Sequence, residues 1–422
     1  MIEQFDVVVF GAGPAGLCAA LQAARAGAKT ALVEKNGICG GTLTFCGVNY
    51  PGIFAAWGRQ IIAGIGWELL VKTWNECNEG MPENRIPYMH QKKVDKLVFA
   101  AFADEALVSA GVDIRFHTMP GKAERDEKSN LWNLTLCDKD GLYDICSKVV
   151  IDCTGDANVI HMAKLPCRMP EETQPGTLSM YFHNFDESKL DFDLLEQRFN
   201  QALAEGRVVL EDMGWAKRFN RGFFTGHGGN SNHIVGYNGA DSAGRTKMEI
   251  DGRKSILRMF RFLRSCPGLE DVEFHLNSGE CGVRETRMIE GEVTITVEDY
   301  ISGRKYPDGI CHGFYPIDLH DAKTGCKQKM LPDGVLPSIP FRALIPRGSH
   351  NILAAGRCLS ADRLSHSALR VQGPCMAMGQ AAGAAAALAV NLNCEVRNVP
   401  IDKLRALLKE HNAILPETEQ RP

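Results

Sequence analysis

Residues 6–16 read DVVVFGAGPAG, and the fold turns on how these positions are interpreted. DVVVF is a continuous apolar, β-branched run, the pattern of a strand buried on both faces. Gly11, Gly13 and Gly16 follow as GxGxxG, and LCAALQAARAG (17–27) continues as a helix that Gly27 stops. KTALVEK (29–35) predicts the second strand, and its end places Glu34 18 residues beyond Gly16. In such a unit Gly11 permits the tight turn, Gly13 lets a pyrophosphate approach the backbone, and Gly16 lets helix and strand pack closely. The first helical turn, with Pro14 and Ala15, offers free N–H groups and partial positive charge. Pro14 suits that turn because its missing N–H would have no helical partner there. Glu34, with Lys35 beside it, stands where an acid takes a ribose hydroxyl pair. Together these features predict an ADP-containing cofactor.

The rest of the composition narrows the partners. With 422 residues the chain can build two cores, or one large domain carrying an insertion. A net charge of -4 provides no basic field, so neither nucleic acid nor a membrane surface is an expected partner, and a small-molecule substrate is. The 15 cysteines are odd in number, scattered, and never spaced CxxC, which reads as reduced thiols; no metal site is predicted. The N-terminus shows no leader, and the most apolar later run, GQAAGAAAALAVNL (379–392), falls short of the roughly 20 residues a bilayer requires. A soluble cytoplasmic protein is expected, with its oligomeric state left open.

Two further segments extend the nucleotide unit. VDIRFHT (112–118), WNLTLCD (132–138) and YDICSKVVIDCTGD (143–156) read as strands with polar turns between them. Residues 350–389 read as a strand (NILAAG), a loop, and a helix opened by Gly373-Pro374. GFFTGHGGNSN (222–232) lacks both a preceding apolar strand and a following helix, so it reads as a loop and not as a second dinucleotide unit. Electrons then come from the substrate or from a separate electron donor or acceptor.

The stretches GAGPAG, LVEK, CGGTLT (39–44), VVIDCTGDA (149–157), GVRETRMIEGEVTIT (282–296), YPIDLH (315–320) and AAGRCLSADRLSHSALRV (354–371) carry a resemblance. The chain resembles FAD-dependent oxidoreductases of the glutathione-reductase-like fold, near the fumarate reductase and L-aspartate oxidase flavoprotein branch. Residues of about 180–275 resemble nothing in that family. The resemblance implies an α/β fold with a Rossmann-like FAD/NAD(P)-binding domain formed by residues 1–170 and 340–395. An inserted α+β substrate domain would occupy 171–339, and a C-terminal helix and tail 396–422. It implies that Gly11, Gly13, Gly16 and Glu34 hold the ADP half of FAD and that Gly41 and Thr42 cover the pyrophosphate and flavin. Thr154, Gly155 and Asp156 would form the second FAD fingerprint, and Gly356, Arg357, Ser360, Arg370 and Val371 the flavin segment. The implied chemistry is hydride transfer between flavin N5 and a small polar or anionic substrate. An FAD monooxygenase or thiol reductase fed by an external reductant is the alternative, and a non-catalytic binding protein on the same fold is another. No covalent flavin-histidine motif and no full fumarate-type arginine-and-histidine pattern is present, so FAD is expected to be non-covalent and fumarate chemistry is not implied. The 373–389 helix is expected to aim its N-terminus at the flavin, where reduction places negative charge.

The expected insertion holds the catalytic candidates. DESKLDFDLLEQRFNQALAEG (186–206) and GRKSILRMFRFLRSCPG (252–268) predict helices; VEFHLN (272–277) and EVTIT (292–296) predict strands. Arg284 and Arg287, three apart, would share a face of a helical turn and grip a carboxylate or phosphate. Alternatively they join Glu285, Glu290 and Glu292 in a surface ion-pair ladder. Asp318 and His320, two apart, share a side if extended. His320 is then a general acid or base, or a structural histidine held by Asp318. His366 is its rival. In GICGGTLTFCG (37–47), Cys39 and Cys46 have six residues between them, while Leu43 and Val48 stand where a glutathione-reductase-type redox pair would be. The stretch therefore reads as a flavin-covering loop, with Cys46 on the active-site side.

Overall fold

The computed structural model describes residues 2–418 apart from 217, 218, 220 and 324. The last residues of the expected tail, 419–422, lie outside the described residues. The apolar run becomes the strand Glu3–Phe10 at the middle of a seven-stranded sheet. Thr30–Val33 pairs with it in parallel on one side, Val7 opposite Thr30, and Asp113–Arg115 lies beyond. On the other side runs Gly141–Asp152, parallel, with Phe10 opposite Asp152. That long strand has two further neighbours: its first part pairs antiparallel with Leu131–Asp138, and its last residues pair parallel with Ile352–Ala354. A segment from near the end of the chain thus completes the sheet that the first residues begin.

Met119–Asp126 forms the far edge strand, which the sequence reading does not anticipate. MPGKAERD carries Pro120, Gly121 and four charges; an edge position, with a bulge between Pro120 and Lys122, accommodates what an interior strand would reject. VDIRFHT yields only the three residues Asp113–Arg115.

Alternation along the central strand divides its side chains between two cores. Val7 and Val9 face the helices Pro14–Arg25 and Gln372–Asn391, whereas Val8 and Phe10 face Trp132, Leu134, Val159 and Ile160. The two helices pack closely because glycine stands at the crossing. A Cβ on Gly379 would come within 1.9 Å of the Ala15 carbonyl oxygen, and one on Gly383 within 2.2 Å of that of Ala19. Gln372–Asn391 is 20 residues long, apolar and long enough to cross a membrane by length and composition, which corrects the expected short run. The apolar alanine stretch is extended N-terminally by QGPCMAM (372–378). Of its apolar window 83% is buried inside the molecule, the setting of a core helix.

The middle of the chain has its own core. Met180–His183 lies between Gly228–Gly229 and Glu273–Leu276, and Phe182 and Phe224 share a core with Phe199 of the helix Phe192–Ala204 and Phe262 of the helix Ser242–Arg264. Residues 222–232 are more than a loop: they contribute to the one-turn helix Arg221–Thr225 and the strand Gly228–Gly229. EVTIT forms no strand; it makes one isolated bridge, Ile295 to Ala361, because its partners are single residues of a loop rather than a neighbouring strand.

Candidate active site

The glycine-rich turn is built by close approach. Gly11 has φ +90°, and a Cβ there would meet the Cys153 carbonyl oxygen at 2.6 Å; one on Gly16 would meet that of Gly11 at 1.7 Å. Gly13 has nothing within 4 Å, so the turn is open where a phosphate would approach. Glu34 joins the second strand to this turn: its carboxylate accepts the Ala12 N–H at 2.7 Å and the Asn36 N–H at 2.8 Å. Burial raises its pKa against the lowering effect of those two bonds.

Over the turn lies a cleft of about 730 Å³. Gly11, Gly13, Pro14, Ala15, Glu34, Lys35, Gly41, Thr42, Thr154, Gly155, Asp156, Gly356, Arg357 and Arg370 all line it. Three expected residues stand off its wall. Gly16 is under the turn, Ser360 is buried with its hydroxyl 2.9 Å from that of Thr294, and Val371 caps the helix Gln372–Asn391. Arg357 is fixed by Asp156 Oδ1 at 2.6 Å and by the Thr286 hydroxyl at 2.8 Å. Gln372–Asn391 begins at the cleft with Gln372 and Cys375, has no acidic residue in its first turn, and leaves the buried Gln372 Oε1 without a partner among the described residues. An open glycine turn, two helix N-termini and Glu34 on one wall fit a dinucleotide cofactor such as FAD.

The facing wall comes from the middle of the chain. Asp241, Arg245, Glu249 and Arg253, at and along the start of Ser242–Arg264, line the cleft together with Glu280. Glu280 pairs with Lys35 and, at 3.1 Å, with Arg245, so it ties the two walls. Sequence reasoning misses Arg245 and Glu280, since helical periodicity shows a polar face but not what that face meets.

The catalytic candidates separate. Residues 283–287 form no helical turn, and Arg284 and Arg287 bond to different segments, which corrects the shared-face expectation. Arg287 donates to Asn158 Oδ1 at 3.3 Å and the Ala240 carbonyl at 3.2 Å, off the cleft wall. Glu285 pairs with Arg363 at 3.2 Å, so the ladder does not form there either. Arg284, 7% exposed, lines the cleft and donates to the Pro175 carbonyl at 2.8 Å. Its neighbour in space is Arg370. Burial, then the charge of Arg370, lowers the Arg284 pKa to about 10, and burial lowers that of Arg370 as well. Arg370 Nε and the neighbouring Gln174 Nε2 are buried N–H groups without partners among the described residues.

Asp318 and His320 lie on the strand Ile317–Asp321, and His320 Nε2 donates to Asp318 Oδ2 at 3.1 Å. The other ring nitrogen, Nδ1, meets His233 Nε2 at 3.0 Å and Cys326 Sγ at 3.1 Å. His320 therefore has neighbours at both ring nitrogens and stands off the cleft wall. Burial lowers its pKa, Asp318 opposes that, and Arg284 reinforces it; burial takes His233 down to about 3. For Asp318, burial is outweighed by His320 and Arg370, which hold the carboxylate well below its usual range. His366 is buried, bonded to the Arg357 carbonyl at 2.7 Å and, by burial, lowered to about 3. Cys46 lines the cleft, but burial pushes its thiol up, and Cys39 is buried with its thiol pushed up likewise. Both thiols are free.

Comparison with known proteins agrees with this geometry. The chain belongs to the FAD dependent oxidoreductase family, which it matches over residues 6–408. FAD is accordingly its cofactor, and it is an oxidoreductase. A dihydrolipoyl dehydrogenase of Trypanosoma brucei brucei is 60% identical over 42 residues, a match that spans 10% of this chain and only 9% of that enzyme. Among solved structures, a geranylgeranyl bacteriochlorophyll reductase-like protein of Thermoplasma acidophilum aligns with 97% of this chain and 84% of its own, at 14% identity and TM-score 0.40. A ternary complex of aklavinone-11 hydroxylase with FAD and aklavinone aligns with 45% of this chain and 40% of its own, at 17% identity and TM-score 0.30.

Proposed function

We propose that this chain transfers a hydride between bound FAD and a small organic anion held by Arg284 and Arg370. One observation carries the reading: two buried guanidiniums line the same wall of the cofactor cleft, the charge of Arg370 lowers the pKa of Arg284, and both face the Asp318 carboxylate. A like-charged buried pair is unfavourable by itself. An anion entering the cleft relieves it and supplies an acceptor for Arg370 Nε, which has no partner among the described residues. When bound, FAD supplies the two-electron chemistry. The chain's own residues bind and orient: the Gly13 turn and helix N-terminus receive the pyrophosphate, and the start of Gln372–Asn391 supports negative charge at the cleft.

In this reading the seven-stranded sheet is the core of a glutathione-reductase-type FAD domain, residues 1–170 and 340–395, with 171–339 as the substrate-side insertion. By its motifs the chain is proposed to be akin to the fumarate reductase and L-aspartate oxidase branch. A thiol mechanism receives no support from Cys46, whose thiol is kept protonated by burial.

The test is anaerobic bleaching of the purified yellow protein by metabolites grouped by functional group. A carboxylate or phosphate substrate should reduce the flavin at least roughly 30-fold more efficiently than its neutral ester, the equivalent of about 2 kcal/mol for hydrogen bonds to a charged group. Equal rates for acid and ester would remove the anion grip. Rapid reduction by NADPH alone would favour the monooxygenase or external-reductant alternative.

A further inference from the structure

We propose that His233, His320 and Cys326 form a zinc-binding site beside the cofactor cleft. The hairpin of Ile317–Asp321 and Gly325–Lys329 sets His320 directly opposite Cys326. His233, 4% exposed, reaches the same point from the segment that bridges Ile234 to Gly176, and its ring packs on Trp215 at 4.1 Å. The three candidate ligand atoms lie within 4.8 Å of one another.

Hydrogen bonding leaves this cluster poorly satisfied. His320 gives its Nε2–H to Asp318, so Nδ1 carries a bare lone pair, and both His233 Nε2, at 3.0 Å, and Cys326 Sγ, at 3.1 Å, crowd that one lone pair. A metal ion accepts a lone pair from each atom instead. With Zn–N near 2.05 Å and Zn–S near 2.3 Å, tetrahedral ligands stand about 3.3 Å apart for N···N and about 3.6 Å for N···S, so each gap opens by only a few tenths of an ångström. Asp318 occupies the outer position that orients a metal-binding imidazole. It is itself fixed by Gln328 Nε2 at 3.0 Å and by Arg370 at 3.7 Å.

Charge and ligand type select the metal. Arg284 and Arg370 oppose a cation, and the Asp318 carboxylate and a Cys326 thiolate offset them. Two imidazoles and a thiolate favour zinc over the oxygen-seeking magnesium and calcium ions. Cys326 is on the exposed side, so the fourth vertex opens to solvent. With Nδ1 on the metal and Nε2 on Asp318, His320 acts as a positioning residue that holds Asp318 against Arg370.

The protein also carries His183, Glu273 and His275 close together, but on more exposed strands and, among the described residues, without such an outer carboxylate, and this cluster serves as the control. FAD-loaded full-length protein, stripped with chelator, is titrated with Co²⁺ while absorbance is followed to the red of the flavin. We expect tetrahedral, thiolate-containing ligand-field bands that saturate at one equivalent and are displaced by Zn²⁺. Cys326→Ser should abolish these bands, Asp318→Asn should weaken binding about 10- to 100-fold, and His275→Ala should change nothing. Absence of the bands, their survival in Cys326→Ser, or their loss in His275→Ala would overturn the site. Retained flavin absorbance and far-UV circular dichroism certify that each variant is folded. The readout needs no turnover, so it stands or falls separately from the proposed anion grip.

Discussion

Arg284 keeps its charge where burial and Arg370 both act against it. A residue placed for function at the expense of stability has a testable signature. Arg284→Met should raise KM for the anionic substrate roughly 30-fold, about 2 kcal/mol of lost charge-assisted bonding, while the melting temperature of the FAD-saturated protein holds or rises. A fall of several degrees would make Arg284 structural. His233 and His366 carry a second signature, in pH. Each is lowered from 6.5 to about 3, so the unfolded chain takes up protons first as the medium is acidified. Their contribution to stability is complete above pH 6.5 and is lost progressively as pH falls toward their folded values. His366→Gln, which can still donate to the Arg357 carbonyl, should flatten the fall in melting temperature below pH 6.5; an unchanged slope would assign the acid lability elsewhere. Cys46→Ser should leave flavin reduction within a few-fold of the parent, because a protonated buried thiol is a poor nucleophile. Loss of turnover with FAD retained would restore a thiol role.

Helix against helix, the cofactor turn depends on a small-residue crossing. The helix that begins at Pro14 carries the open turn, and it lies on Gln372–Asn391 through Gly379 and Gly383. Gly383→Val forces a side chain to within 2.2 Å of the Ala19 carbonyl oxygen. Such overpacking costs about 1–3 kcal/mol or more. Displacement of Pro14–Arg25 should also weaken FAD binding, so urea midpoint and FAD affinity should fall together; a fall in the midpoint with affinity intact would uncouple the crossing from the turn. This unit was legible in the sequence because its signals are local: an apolar run, three spaced glycines, a helical stop and Glu34 all lie within 6–34. The elements misread were those whose partners are remote. Residues 284–287 are held by side-chain bonds to distant segments, and EVTIT by one isolated bridge and backbone bonds to remote loops, so no periodicity marks them, and Met119–Asp126 is a strand only because it occupies an edge. Asp318 and His320 show both sides of this: their pairing followed from a spacing of two, whereas His233 and Cys326, the other neighbours of His320, left no sequence signal.

Across the whole molecule, one cleft joins two cores. Its first wall comes from the sheet and the glycine turn, its second from the start of Ser242–Arg264 and from Glu280, and Lys35, Glu280 and Arg245 connect them. The list of residues on the first wall was readable from motifs; the second was not, since a helix reveals which of its faces is polar but not its neighbour. FAD spanning such a cleft should act as a fastener for both parts. At 100 times its dissociation constant a ligand specific to the folded state stabilises by about 2.7 kcal/mol, and here that gain should be shared. Hydrogen exchange of the apoprotein and the FAD-loaded protein should therefore show slowing in residues 11–16 and, in parallel, in the first turns of Ser242–Arg264, far away in sequence. Glu280→Gln weakens the connection with Lys35 and Arg245 without touching the glycine turn, so it should reduce protection at the distant helix more than at 11–16. Protection confined to the glycine turn would mean that the cofactor rests on one wall only, and the substrate-side role assigned to the middle of the chain would then lose its physical basis.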